Sequence, residues 1–198
     1  MYRRPQSGWL EVICGPMFSG KSEELIRRVT RTRIARLPVQ TFKPAVDVRY
    51  AEHHVVSHSA LRAEATPVAD SSELLRRVED VTVVVGIDEG QFFDDGLVDA
   101  CEALAATGKQ VIVAGLDLDY MRRPFEPIPT LCGRAEYVTK TLAVCHRCGG
   151  PALYTQRTVR SDDLVVLGAL DAYEARCRFC YDPTEPEQPA LALDEEMA

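Results

Sequence analysis

Residues 15–22 read Gly15-Pro16-Met17-Phe18-Ser19-Gly20-Lys21-Ser22, the pattern G-x-x-x-x-G-K-S. Few octets restrict a fold so tightly. Gly15 and Gly20 permit a tight turn that aims backbone N–H groups at phosphate oxygens. Lys21 can reach the β- and γ-phosphates, and the Ser22 hydroxyl is placed to ligate Mg²⁺. The loop needs a strand before it and a helix after it, because the helix N-terminus adds its own attraction for anions. Both are legible. Trp9 to Cys14 is a short, mostly apolar run of strand type. Ser22 to about Arg36 carries Leu25, Ile26 and Val29 on one helical face.

The rest of the chain repeats that alternation. Val39 to Phe42 predicts a second strand, ending at Lys43-Pro44. Ala45 to Thr66 lacks periodicity and holds His53, His54 and His58; it reads as a long loop with room for one short strand. Asp70 or Ser71 can cap a short helix whose Leu74, Leu75 and Val78 are expected to face the core. Val81 to Ile87 is β-branched almost throughout, as a central parallel strand requires. A helix over Leu97–Ala106 stops at Gly108, and Gln110–Gly115 is a further strand. Leu116 to Leu131 reads as irregular, and Ala135 to Val144 as containing one more strand. The fold class is therefore α/β, a P-loop NTPase-like parallel sheet with helices on both faces.

Totals narrow the function. The 198 residues suit one ordinary domain with a small appendage. A formal charge of −7 argues against a general nucleic-acid binder. No run approaches a membrane span, and the N-terminus lacks the apolar centre of a secretory signal. A cytoplasmic location is the expectation, with the seven cysteines reduced.

A P-loop works with an acid at the tip of a neighbouring strand. Asp88 ends the 81–87 run and is expected to hold Mg²⁺ with Ser22. Glu89 follows. Adjacent residues on an extended chain point to opposite sides, which leaves Glu89 available as a general base. Asp88-Glu89-Gly90-Gln91 is also similar to the DExx box of helicases, but a helicase needs two motor domains. No Asn-Lys-x-Asp motif of a GTPase is present.

Cys145-x-x-Cys148 and Cys177-x-x-Cys180 are two knuckles that together suit structural Zn²⁺ in a closed tetrahedron. The intervening residues 149–176 exceed ordinary ribbon spacing, so the ribbon must carry an insertion, either a ligand-facing loop or a plain β-hairpin. A redox reading is weaker, since it needs only one such pair. Cys14, Cys101 and Cys132 read as buried free thiols, and His146 finds the tetrahedron already filled. Three units follow: a P-loop α/β domain over 1–144, a zinc ribbon over 145–181, and an acidic, proline-bearing tail over 182–198 expected to be disordered.

Taken together, the octet, then Asp88-Glu89-Gly90-Gln91-Phe92-Phe93, then the two cysteine pairs ending at Tyr181 resemble the zinc-containing cytosolic type of thymidine kinase. Lys43-Pro44-Ala45-x-Asp47-x-Arg49-Tyr50, Gly115-Leu116-Asp117 and Arg123-Pro124-Phe125 match family segments as well. The resemblance runs from about Trp9 to Tyr181. It implies transfer of the γ-phosphoryl of ATP to the 5′-hydroxyl of thymidine, and of deoxyuridine. Glu89 would be the catalytic base, assisted by Lys21 and Arg49. The octet and residues 88–91 would bind ATP. Asp47 would join Ser22 and Asp88 near Mg²⁺. The 149–176 insertion resembles the family's lasso loop. Backbone groups of Val165, Val166, Leu167 and Gly168 would read the thymine edge, Tyr173 would reach the sugar, and Thr155 would lie near the base. Met17, Phe92, Leu116, Tyr120 and Phe125 would line the apolar slot. Tyr120 stands where relatives often have phenylalanine, and Glu23 where threonine is common. The resemblance also implies a homotetramer and feedback inhibition by dTTP. A kinase for another nucleoside and a nucleotide-gated zinc-ribbon binding module are the alternatives.

Overall fold

A computed structural model of the chain describes residues 8–45, 65–159 and 172–183. β1 (Trp9–Cys14) runs into the glycine loop and α1 (Lys21–Ile34) leaves it. There follow β2 (Val39–Pro44), β3 (Thr66–Val68), α2 (Ser71–Arg77) and β4 (Val84–Ile87). A 3-10 turn (Gly90–Phe92) leads to α3 (Leu97–Ala106), β5 (Gln110–Gly115), α4 (Ile128–Arg134) and β6 (Tyr137–Lys140). The six strands form one parallel sheet in the order β3-β2-β4-β5-β1-β6. The register pairs Cys14 with Gly115 and Lys140, and Ile87 with Phe42 and Val113. The carboxyl ends of the central strands therefore share one rim, where open parallel sheets bind ligands.

Alternation along the strands builds two cores. Val12, Cys14, Val85, Ile87, Val111 and Val113 pack against α2, α3 and α4 through Leu74, Leu97, Cys101, Leu104, Ile128 and Leu131. Ile13, Val84, Ile112 and Ala114 face the other way, onto Leu25 and Val29 of α1. Helices thus cover both faces, as the sequence implies.

Some elements differ from expectation. The strand read from Val81 starts at Val84. Carbonyls of Glu79, Asp80 and Thr82 are taken by the Lys109 ammonium at 3.2, 3.0 and 2.8 Å, and not by a strand neighbour. Leu75 is exposed while Leu74 is fully buried, because this seven-residue helix buries the 71/74/78 side. Asp70 does cap it, accepting from Glu73 N at 2.7 Å. α4 lies partly within the stretch read as irregular. Pro127 caps it and Pro129 sits in its first turn, where a missing N–H costs nothing. β3 is three residues at the sheet edge, too short for periodicity, and Pro67 is tolerated there.

The C-terminal unit is two antiparallel pairs. β7 (Ala143–Val144) pairs with β8 (Pro151–Ala152), and β9 (Tyr154–Arg157) with β10 (Tyr173–Arg176). Its small core is Ala143, Cys145, Ala152 and Ala175, joined by Cys177 and Cys180. Asp47, Arg49, the three loop histidines, Val165–Gly168 and the tail from 184 lie outside the described residues.

Candidate active site

The glycine loop is braced from β6. Gly15 has φ 147°, and a Cβ there would stand 2.4 Å from the Thr141 carbonyl oxygen and 2.6 Å from its hydroxyl. Only glycine fits both the conformation and the space. Thr141 N donates to Cys14 O at 2.8 Å. The Thr141 and Ser19 hydroxyls lie 2.8 Å apart, and Ser19 Oγ is also 2.8 Å from Pro16 O. Gly20, at φ 78°, turns the chain into α1, whose N-terminus faces the loop. The Lys21 ammonium donates to Pro16 O, within the octet, at 2.7 Å. Burial pushes its pKa below the ordinary lysine value, against the pull of the Glu89 and Asp88 carboxylates.

The acidic pair is at the loop. Ser22 Oγ donates to Asp88 Oδ1 at 3.1 Å, so the two oxygens expected to hold Mg²⁺ are already adjacent. Bound there, the ion would neutralise charge on the transferring phosphoryl group. Asp88 and Glu89 are not consecutive residues of an extended strand, since β4 ends at Ile87. Glu89 is left-handed, at φ 52° and ψ 41°, and its N–H donates to Asp88 Oδ1 at 3.0 Å. The turn, not strand alternation, sets how the two residues are presented. Gln91, grouped with the phosphate binders by sequence, is buried with its amide engaged inside the protein. Its nitrogen donates to Glu89 Oε2 at 2.6 Å, and its oxygen accepts from Leu116 N at 2.9 Å.

The ribbon reaches the loop. Thr155 Oγ1, on β9, accepts from Met17 N at 3.0 Å. The Tyr181 hydroxyl donates to Tyr120 O at 2.7 Å. Phe92 and Phe125 meet edge to face with centroids 6.2 Å apart. Tyr173 is buried on β10, and its hydroxyl accepts from Arg157 at 3.3 Å. Thr141 and Arg157 escaped the sequence reading. A single threonine far from the octet carries no motif, and the one hint for Arg157 is its place two residues after Thr155. Asp117, just past β5, and Lys140, the last residue of β6, are ion-paired at 2.5 Å and were likewise given no role.

The four Sγ atoms of Cys145, Cys148, Cys177 and Cys180 all lie within 4.8 Å of one another. The Cys148–Cys177 separation is 3.7 Å. A tetrahedron with Zn–S bonds of about 2.3 Å has edges of about 3.8 Å, so the set fits zinc. Cys180 N points at Cys177 Sγ, 3.4 Å away. His146 lies outside the set, beside Glu174. Cys14 and Cys101 are buried free thiols as read; Cys132 is half-buried.

A glycine loop between a central parallel strand and a helix, with an acid bonded to its serine and a second acid beside it, defines a P-loop nucleotide-binding protein. A family model described as thymidine kinase matches residues 8–181. The chain belongs to the thymidine kinase family. A thymidine kinase from Rhodothermus sp. (strain ITI 518) is 56% identical over 90% of this chain and 84% of its own. One from Bdellovibrio bacteriovorus is 52% identical over 93% of this chain and 90% of its own. Among solved structures, flagellar accessory protein FlaH from Methanocaldococcus jannaschii aligns at 15% identity with TM-score 0.47, covering 80% of this chain and 75% of that one. A likeness that distant decides nothing about function.

Proposed function

We propose that the chain transfers the γ-phosphoryl of ATP to the 5′-hydroxyl of thymidine, with Glu89 taking the hydroxyl proton. Thymidine phosphorylation is the activity of the family to which the chain belongs. The observation that carries the role of Glu89 is its carboxylate, held by Gln91 at 2.6 Å beside the Ser22–Asp88 contact. A base fixed there needs no metal-binding duty of its own. Lys21 and the octet amides bind the phosphates of ATP, with residues 88–91 at their margin. Ser22, Asp88 and Asp47 attend Mg²⁺, and Arg49 the developing charge; the last two rest on the family resemblance. Met17, Phe92, Leu116, Tyr120, Phe125, Thr155 and Tyr173 border the nucleoside. The backbone of residues 165–168 reads its base.

We further assign residues 1–144 to nucleotide binding and 145–181 to a zinc-held unit that carries the nucleoside lasso. The four-cysteine cluster supports the second unit, whose small core also takes in Ala143. No described helix is long and apolar enough to cross a membrane. Cytoplasmic location, homotetramer assembly and dTTP feedback complete the proposal on the strength of the family.

Steady-state assays of Glu89→Gln test the base. Loss of a general base costs about 10²–10⁴ in kcat, with the KM values for ATP and thymidine nearly unchanged. Near-normal turnover would remove Glu89 from the mechanism. Labelled ATP offered with each common nucleoside tests substrate choice, and thymidine should lead.

A further inference from the structure

We infer that Arg157 is a positioning residue for the nucleoside, acting as a clamp between the ribbon and the P-loop domain. The idea rests on the proposed pocket, in which Tyr120 and Tyr173 border the substrate. Arg157 is only 3% exposed. A charge so deeply buried is expensive unless its surroundings hold it. Its guanidinium lies 3.6 Å from the centroid of the Tyr120 ring and 5.6 Å from that of Tyr173. It also donates to the Tyr173 hydroxyl at 3.3 Å. Arg157 and Tyr173 are direct cross-strand partners in the β9–β10 pair. Tyr120 comes from the other unit, in the loop after β5, and its carbonyl is fixed by Tyr181 next to the zinc knuckle.

The strand period adds a second contact. Thr155 and Arg157 are two residues apart on β9 and so share a face. That face meets the P-loop domain twice, through Thr155 at Met17 N and through Arg157 on the Tyr120 ring. One planar cation therefore sets the spacing and tilt of two aromatic side chains that belong to different units. Stacking on Tyr120 while donating to Tyr173 needs a planar guanidinium, which lysine lacks. The Arg157 contacts fall on the two tyrosines that border the proposed nucleoside pocket, so the clamp acts on nucleoside binding.

Kinetics of the full chain with Arg157→Lys and Arg157→Met separate this role from a structural one. Both variants should raise the thymidine KM about tenfold or more while kcat and the ATP KM change less than about threefold. Zinc content should remain at the wild-type level. Tyr120→Leu should raise the thymidine KM similarly, and combining it with Arg157→Lys should add little further. A variant that loses zinc or kcat with the thymidine KM intact would overturn the clamp, as would full rescue by lysine. Phe125→Ala and Tyr173→Ala are the controls on the pocket. If they raise the thymidine KM and the Arg157 variants do not, the clamp alone fails. If none of the four moves it, the pocket reading fails and the clamp with it.

Discussion

Gln91 is a neutral amide three residues past Asp88, yet it links the proposed base to the next strand's exit. Its amide gives Glu89 a donor and Leu116 N an acceptor, in a buried position. Replacing it by leucine keeps the volume but removes both bonds. Gln91→Leu should lower kcat about tenfold and destabilise the fold by about 1–3 kcal/mol, the cost of orphaned buried polar groups. Stopped-assay kinetics and urea unfolding check the two halves; unchanged kcat would leave Gln91 a purely structural residue. Glu89 and Asp88 could be singled out in the sequence because an acid at a strand tip beside a P-loop has a known job. The left-handed turn at Glu89 could not, since nothing in its residue type demands it. Thr141 was invisible for a different cause. Its importance comes from what a Cβ at Gly15 would strike, a contact across 126 positions of chain.

At the scale of elements, α1 does two tasks. Its N-terminus closes the phosphate loop, and its first turns are tied to the sheet by charge. Glu24 accepts from Arg27 at 2.6 and 2.7 Å and from Arg28 at 2.8 Å. Arg28 continues to Glu11 of β1 and, at 2.8 Å, to Thr139 of β6. Bonding to Arg27, with Arg28 adding to it, holds the Glu24 carboxyl down at about 2. A carboxylate whose pKa is lower folded than unfolded stabilises above its unfolded value of 4.5 and loses that contribution as pH falls toward about 2. Glu24→Gln should therefore cost stability at pH 6, by about 0.5 kcal/mol for an i,i+4 pair. The gap from wild type should shrink between pH 4.5 and pH 2.5. Urea midpoints of both proteins across that range decide it, and a gap constant with pH would detach it from Glu24 ionisation. Helices with a clear apolar face and ordinary ends, α1 and α3, were legible from sequence. α4 was hidden by its own prolines, and β3 by its shortness.

For the whole molecule, the ribbon matters through its contacts with the nucleotide domain. Thr155 meets Met17 and Tyr181 meets Tyr120, so the strands beside the four-cysteine cluster support the loop that they touch. The purified protein should carry one zinc per chain by metal analysis. Chelation should expose four further cysteines to a thiol reagent and raise the thymidine KM about tenfold, because structural zinc contributes folding energy outright. Chelation that frees the thiols and leaves the thymidine KM unchanged would make the ribbon a passive appendage. By itself the sequence determined the parallel α/β class, the phosphate loop, the acidic strand tip and the two cysteine pairs. Each is a local pattern, fixed by residue types a few positions apart. Tertiary structure alone decided that Thr141 wedges the first glycine, that Gln91 ties the Glu89 turn to Leu116, and that Arg157 spans two tyrosines. Those relations join residues far apart in the chain, and only packing determines which of many polar side chains end up within bonding distance.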